Sequence, residues 1–155
     1  MTPAIRVLKA ANAEYTAHKY TYEPHGGAEQ CASQMGIDLR HVVKTIVLKT
    51  SESKILVMLM HGDREISLNK LARHLGVKSI EPCSVAEAEK ASGYFVGGTS
   101  PFGFRKAGVK IYAQATILDL PWIVINGGQR GFFVKIAPSI LETILHVEKV
   151  DAQQE

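Results

Sequence analysis

What this chain lacks narrows its chemistry before any residue is singled out. Its two cysteines, Cys31 and Cys83, stand far apart with no Cys-x-x-Cys and no Cys/His pattern. Neither a disulfide framework nor a zinc finger is therefore encoded, and both read as small, partly buried hydrophobes suited to a reducing cytoplasm. The longest apolar runs, such as 55–60, are far too short to span a bilayer. Residues 1–6 lack the basic, then apolar, then small-residue plan of a secretory signal. The usual catalytic signatures are missing too: no Gly-x-Ser-x-Gly elbow, no Walker A loop, no His-Glu-x-x-His and no Gly-x-Gly-x-x-Gly after a strand. The 6 histidines show no zinc-ligand spacing, so no metal and no cofactor is expected. There is no charge block, and a net charge of +3 is compatible with a nucleic-acid partner without demanding one.

What remains is ordinary in bulk. A chain of 155 residues, 46% hydrophobic and 21% charged, reads as one soluble domain with a substantial core. Thr2 and Pro3 open an amphipathic helix to Ala11, and 16–20 reads as a short strand. A second helix over 28–35 ends at Gly36. The β-branched run 42–48, a polar turn and the apolar run 54–60 predict a hairpin by pattern. Ser67 caps a third helix that Gly76 stops, and Ser84 with Glu87 has the spacing of a capping box for a fourth. Further strands are expected over 77–80, 94–96, 109–113 and 121–125. A turn at 126–131 leads to a strand over 132–137, and Pro138 opens a final helix. Residues 1–150 form one mixed α/β domain on this reading, with 151–155 a disordered tail.

Three short segments stand out against this background: Lys44-Thr45, Gly97-Gly98-Thr99-Ser100-Pro101, and Asn126-Gly127-Gly128-Gln129-Arg130-Gly131. Paired glycines beside strands point to tight turns or to close approach of a ligand. The functional alternative is that the 97–101 turn donates N–H groups to a substrate carbonyl while Lys44 offers a point charge to a phosphate. The plain alternative is a solvated lysine and two ordinary turns. His18 beside Tyr20 reads as a structural histidine that could also line a pocket, and Asp63 with Glu65 as local charge and capping.

Together and in this order, these segments resemble the YbaK family, relatives of the prolyl-tRNA synthetase editing domain. The likeness runs from the opening helix to the one after Ala137-Pro138 and is carried by His18, Tyr20, Val43-Lys44-Thr45, residues 93–101 and residues 127–131. It implies a mostly antiparallel mixed sheet curled into a partial barrel with surrounding helices. The implied activity is trans-editing: cleavage of the ester of mischarged aminoacyl-tRNA for proline, by hydrolysis or, where a substrate thiol attacks, by a lyase-type route. Lys44, Gly97 and Gly98 are the implied catalytic positions, with Lys44 near the terminal adenosine and its phosphate. Tyr20, Thr45, Thr99, Ser100, Pro101, Asn126, Gly127 and Gly128 are the implied substrate-binding positions. The implied partners are the acceptor end of aminoacyl-tRNA and prolyl-tRNA synthetase, in the cytoplasm. The 127–131 turn is most similar to the cysteine-specific branch, although Asn126 stands where that branch usually carries serine, and Phe133 departs from it as well. A deacylase for Ala- or another small-amino-acid tRNA, and a non-catalytic tRNA- or synthetase-binding module of the same fold, are the alternatives.

Overall fold

Local sequence rules place most of the helices. In the computed structural model, which describes residues 1–155, the Thr2 hydroxyl accepts from the Ile5 N–H (3.2 Å) and Pro3 occupies the first position of α1 (Pro3–Ala10). β1 (Thr16–Lys19) and α2 (Gly27–Met35) follow. β2 (Val42–Thr50) and β3 (Ile55–His61) form the expected hairpin, paired antiparallel from Val43 with His61 to Lys49 with Ile55. Ser67 caps α3 (Leu68–Leu75) and Gly76 closes it in the left-handed conformation. After β4 (Ile80–Pro82), Ser84 and Glu87 form a full capping box on α4 (Val85–Ser92). β5 (Lys110–Gln114), β6 (Ile123–Gln129), β7 (Phe132–Ile136), α5 (Ser139–Leu145) and β8 (Glu148–Val150) complete the chain.

All eight strands join one open sheet in the order β1-β7-β6-β2-β3-β5-β8, with β4 also on β2. Pairs β1/β7, β2/β3, β2/β4 and β6/β7 are antiparallel, while β2/β6, β3/β5 and β5/β8 are parallel. β3 is buried on both faces, which is why it reads as an unbroken apolar run. Val57 and Leu59 face one core with Ala4, Ile5 and Leu8 of α1 and Leu141 of α5. Leu56, Met58 and Met60 face a second with Leu71 and Ala72 of α3.

Four expectations are corrected. Residues 94–96 are not a strand. Their polar groups go elsewhere: the Tyr94 N–H to Ser92 Oγ (3.1 Å), the Tyr94 hydroxyl to the Phe102 carbonyl (2.6 Å) and the Val96 N–H to Glu89 Oε2 (2.8 Å). The strand expected over 77–80 instead starts at Ile80. The 126–131 segment is mostly strand, because β6 runs through Gly127 and Gly128 as a bulge between Asn126 and Gln129 and only Arg130-Gly131 turn. The tail is not frayed. Ala152 is fully buried, its N–H donates to Gln114 Oε1 (2.8 Å) and its carbonyl accepts from Ser67 (2.6 Å), while the Gln154 N–H donates to the Glu65 carbonyl (2.9 Å). Polar composition hid this because those bonds use main-chain groups. β8 was unforeseen for the same reason.

A cleft at the split edge of the sheet

β2 shares one edge between two partners. β6 pairs with it at Val42 and Val43, and β4 at Leu48 to Thr50. The Val47 carbonyl still accepts from the Cys83 N–H (3.1 Å), so the polar groups of odd-numbered β2 residues point to this edge. Between the two partners the edge is open, and the Thr45 peptide faces the gap without a ladder partner. The Thr45 hydroxyl is buried there without a hydrogen-bond partner as well. A buried polar atom left unpaired costs about 1–3 kcal/mol, which a ligand in the gap would recover.

The gap opens into a cavity of about 730 Å³. Its apolar side is Val42, Val124, Phe133 and Cys31, and its polar rim includes Lys44, Asn126, Arg130 and Glu89. Alternation along β2 sends Lys44 to the face opposite Thr45. Lys44 Nζ donates to the Arg64 carbonyl (2.5 Å) and lies 3.4 Å from Glu65 Oε1. A lysine has three donor hydrogens, so this anchorage orients the ammonium and leaves one for an anion. Glu65 thus holds Lys44 rather than capping a helix; Ser67 does that.

The 97–101 loop forms the facing wall. Gly97 has φ +92°, and a Cβ there would come 2.7 Å from the Tyr22 hydroxyl oxygen. The loop is braced on three sides: Glu89 takes the Val96 N–H, Arg130 Nε donates to the Val96 carbonyl (2.9 Å), and Asn126 Nδ2 donates to the Gly97 carbonyl (3.2 Å). The N–H groups of Gly97 and Thr99 have no acceptor in the protein and belong to residues that line the cavity.

The cleft therefore gathers six of the expected positions: Tyr20, Lys44, Thr45, Gly97, Thr99 and Asn126. Five others do not line it. The Gly98 N–H is occupied by the Phe95 carbonyl (2.8 Å), and a Cβ on Gly98 would meet the Arg130 backbone nitrogen at 2.7 Å. Gly98 thus serves close packing and not donation. Ser100 is fully buried, its Oγ accepting from the Phe102 N–H (3.1 Å), and Pro101 is buried beside it. Gly127 gives its carbonyl to the Thr2 hydroxyl (2.6 Å), and a Cβ there would strike Phe132 at 2.6 Å. Gly128 lies against Tyr94 and Thr2. His18 also stays outside, stacked on Phe133 with ring centroids 5.2 Å apart.

The cleft includes residues that sequence reasoning missed. Tyr22 backs Gly97, and Arg130 lies over the Tyr22 ring at 5.3 Å. Glu89 braces the loop from α4, and no sequence pattern announces a carboxylate that acts across seven residues on a main-chain N–H. Neither thiol is a ready nucleophile: burial pushes Cys31 up to about 11 and also raises Cys83. Burial likewise holds the Tyr20 hydroxyl above its ordinary value, keeping it a protonated donor. No group of three His, Cys, Asp or Glu side chains is placed to hold a metal ion. No helix is long and apolar enough to cross a membrane.

The sequence profile described as the aminoacyl-tRNA editing domain matches residues 23–144. A protein of Enterococcus faecalis, provisionally named a Cys-tRNA(Pro)/Cys-tRNA(Cys) deacylase, EbsC, is 28% identical over 141 residues, covering 90% of this chain and 85% of that protein. A proline–tRNA ligase of Caldicellulosiruptor bescii is 30% identical over 107 residues, 69% of this chain but only 18% of the ligase. A crystal structure provisionally described as a trans-editing enzyme for prolyl tRNA synthetase superposes with a TM-score of 0.80 at 18% identity, over 100% of this chain and 99% of that one. At that identity the likeness shows a shared fold.

Proposed function

The chain belongs to the aminoacyl-tRNA editing domain family, and from that premise we propose that it is a trans-editing deacylase that clears mischarged tRNA for proline, with Cys-tRNA(Pro) as first substrate. The observation that carries this reading is the pairing of unclaimed N–H donors on Gly97 and Thr99 with the anchored Lys44 ammonium across one cleft. An aminoacyl ester is already activated, so positioning and oriented donors can supply most of what its cleavage needs.

In this mechanism Lys44 meets the phosphate or ribose of the terminal adenosine. The Gly97 and Thr99 N–H groups face the ester carbonyl oxygen, where negative charge develops as the carbonyl carbon is attacked. One such donor is typically worth about 100- to 1,000-fold in rate. The Thr45 hydroxyl and peptide, otherwise unpaired, meet polar atoms of the aminoacyl group. The nucleophile comes from outside the protein, since both thiols are held protonated by burial. Attack by water forms the acid and releases the ribose hydroxyl. Attack by a cysteinyl thiol forms the cyclic thioester, and the thiol proton passes to the departing ribose oxygen. Prolyl-tRNA synthetase is the proposed source of the mischarged tRNA.

The apolar wall of Val42, Val124 and Phe133 favours a second substrate, Ala-tRNA for proline, because a methyl group can rest on it without leaving a polar atom unpaired. The test is deacylation of Cys-, Ala-, Ser- and Pro-tRNA for proline by the intact protein. Cys- or Ala-tRNA should be cleared far faster than its spontaneous hydrolysis, with Pro-tRNA spared. Failure to accelerate any of the four overturns the reading and leaves a non-catalytic binding module.

A further inference from the structure

On the deacylase reading the cleft of about 730 Å³ receives the ester and the terminal nucleoside, but an acceptor end arrives as a single strand that must be held upstream of them. Phe95, two residues before Gly97, leaves 73% of its surface exposed. Its backbone is not free to tuck the ring away, since its carbonyl is taken by Gly98 and the next residue is held by Glu89 and Arg130. The Arg130 guanidinium lies 5.9 Å from the Phe95 ring and 5.3 Å from that of Tyr22. Phe95, Gly98, Gln129 and Arg130 line a second, shallow recess of about 550 Å³, and Arg130 borders both it and the ester cleft. Gly97 and Gly98, adjacent in the chain, each stand in one of the two walls.

We propose that Phe95 and Arg130 form a stacking platform for the unpaired nucleotide immediately upstream of the terminal adenosine. The proposal rests on the deacylase reading for the direction in which the strand enters. Two residues of chain span at most about 7 Å, so a strand whose last ester sits at Gly97 passes Phe95 within about one nucleotide step. Every base has a face for an aromatic ring to cover, and a guanidinium serves both base and phosphate, so the pair suits single-stranded RNA without selecting its sequence. The Arg130 cation matches a polyanion, which is what favours RNA over an apolar protein segment as the occupant.

Two measurements on the full chain test it. The first compares single-turnover deacylation by wild type, Phe95→Ala and Phe95→Trp on charged tRNA and on the corresponding aminoacyl-adenosine ester. Phe95→Ala should raise the half-saturating concentration for charged tRNA about 10-fold, leave the saturating rate unchanged and leave the adenosine ester unaffected; Phe95→Trp should restore binding. The second is a titration of an uncharged acceptor-stem hairpin carrying 2-aminopurine in place of the penultimate base. Its fluorescence should be quenched by wild type and not by Phe95→Ala. Identical titrations for the two proteins overturn the platform and give the exposed ring to a protein partner. An equal loss on the adenosine ester overturns it too, by placing Phe95 in the terminal-adenosine site. If wild type cleaves no charged tRNA, the deacylase reading fails by itself, and the quenching still decides the platform.

Discussion

The 97–101 loop and the bulged end of β6 both carry paired glycines, and in the structure they face opposite ways. Gly97 and Thr99 line the cleft with N–H groups that nothing in the protein accepts. Gly127 and Gly128 lie inside the packing, beneath Phe132 in one case and against Tyr94 and Thr2 in the other. Gly98 belongs with the second pair although it adjoins the first, because it is pressed on the Gln129–Arg130 backbone. A glycine marks close approach, and only the third dimension says whether the neighbour is a ligand or the chain itself. Asn126 ties the regions together, donating to the Gly97 carbonyl while its Oδ1 accepts from the Gly128 and Gln129 N–H groups (2.7 and 3.1 Å).

If the loop is the working side, the largest effect belongs to the cation opposite it. Lys44→Ala should lower single-turnover deacylation about 10- to 100-fold or more while the fold is kept, since a bond to a charged group is worth about 1.5–3 kcal/mol. A near wild-type rate would remove Lys44 from the mechanism. The comparison itself is sharpest in a glycine pair. Gly97→Ala should lose most activity with a modest loss of stability. Both positions have a positive φ, but the Cβ of Gly97→Ala would meet the hydroxyl end of the half-buried Tyr22, which can shift, whereas that of Gly128→Ala would sit 2.7 Å from the buried Tyr94 ring, so Gly128→Ala should unfold at the lower temperature, by about 1–3 kcal/mol. Thermal unfolding beside kinetics separates them, and matching losses of both quantities in the two variants would break the distinction.

Asn126→Asp probes the tie between the regions. It keeps the oxygen that accepts from the bulge and removes the donor to the Gly97 carbonyl, so about a 5-fold loss of rate is expected at nearly unchanged stability. Stability falling while rate holds would mean that Asn126 serves only the bulge.

The smallest effect lies away from both turns. His61 is fully buried, with Nδ1 2.9 Å from the Arg40 carbonyl and Nε2 2.7 Å from the Thr116 hydroxyl. Burial lowers its pKa below the ordinary histidine value. The unfolded chain therefore takes up the proton first as pH falls, and the stability contributed by neutral His61 is present near pH 7 and is lost below about 6.5. Melting temperature should decline on mild acidification, and His61→Gln should flatten that decline. An unchanged pH slope in the variant would assign the acid sensitivity elsewhere.

The helices and the order of most strands were legible because they follow from local rules, while the mixed direction of the sheet came only from the family resemblance: Thr2, Ser67 and Ser84 cap helices, Gly36 and Gly76 end them, and alternating or continuous apolar runs mark strands. The site was half legible. Lys44, Thr45, Gly97, Tyr20, Thr99 and Asn126 do meet in one cleft. The docked tail escapes local pattern because its main-chain groups bond to Glu65, Ser67 and Gln114, distant in sequence, and residues 94–96 escape it because theirs go to Ser92, Glu89 and Gly98 rather than to a neighbouring strand.

By itself, then, the amino-acid sequence determined the helices, the β2/β3 hairpin, the positions of tight backbone and the family, since each depends on residue type and on spacing along the chain. Tertiary structure alone decided that β2 splits its edge between β6 and β4, that Thr45 is left unpaired in the gap, and that Glu65 anchors Lys44. It also decided that Gly97 faces the cleft while Gly98 and Gly128 are pressed against the Gln129–Arg130 backbone and the Tyr94 ring. Those outcomes depend on which distant groups satisfy each hydrogen bond and fill each volume, and that is settled only when the strands have closed around one another.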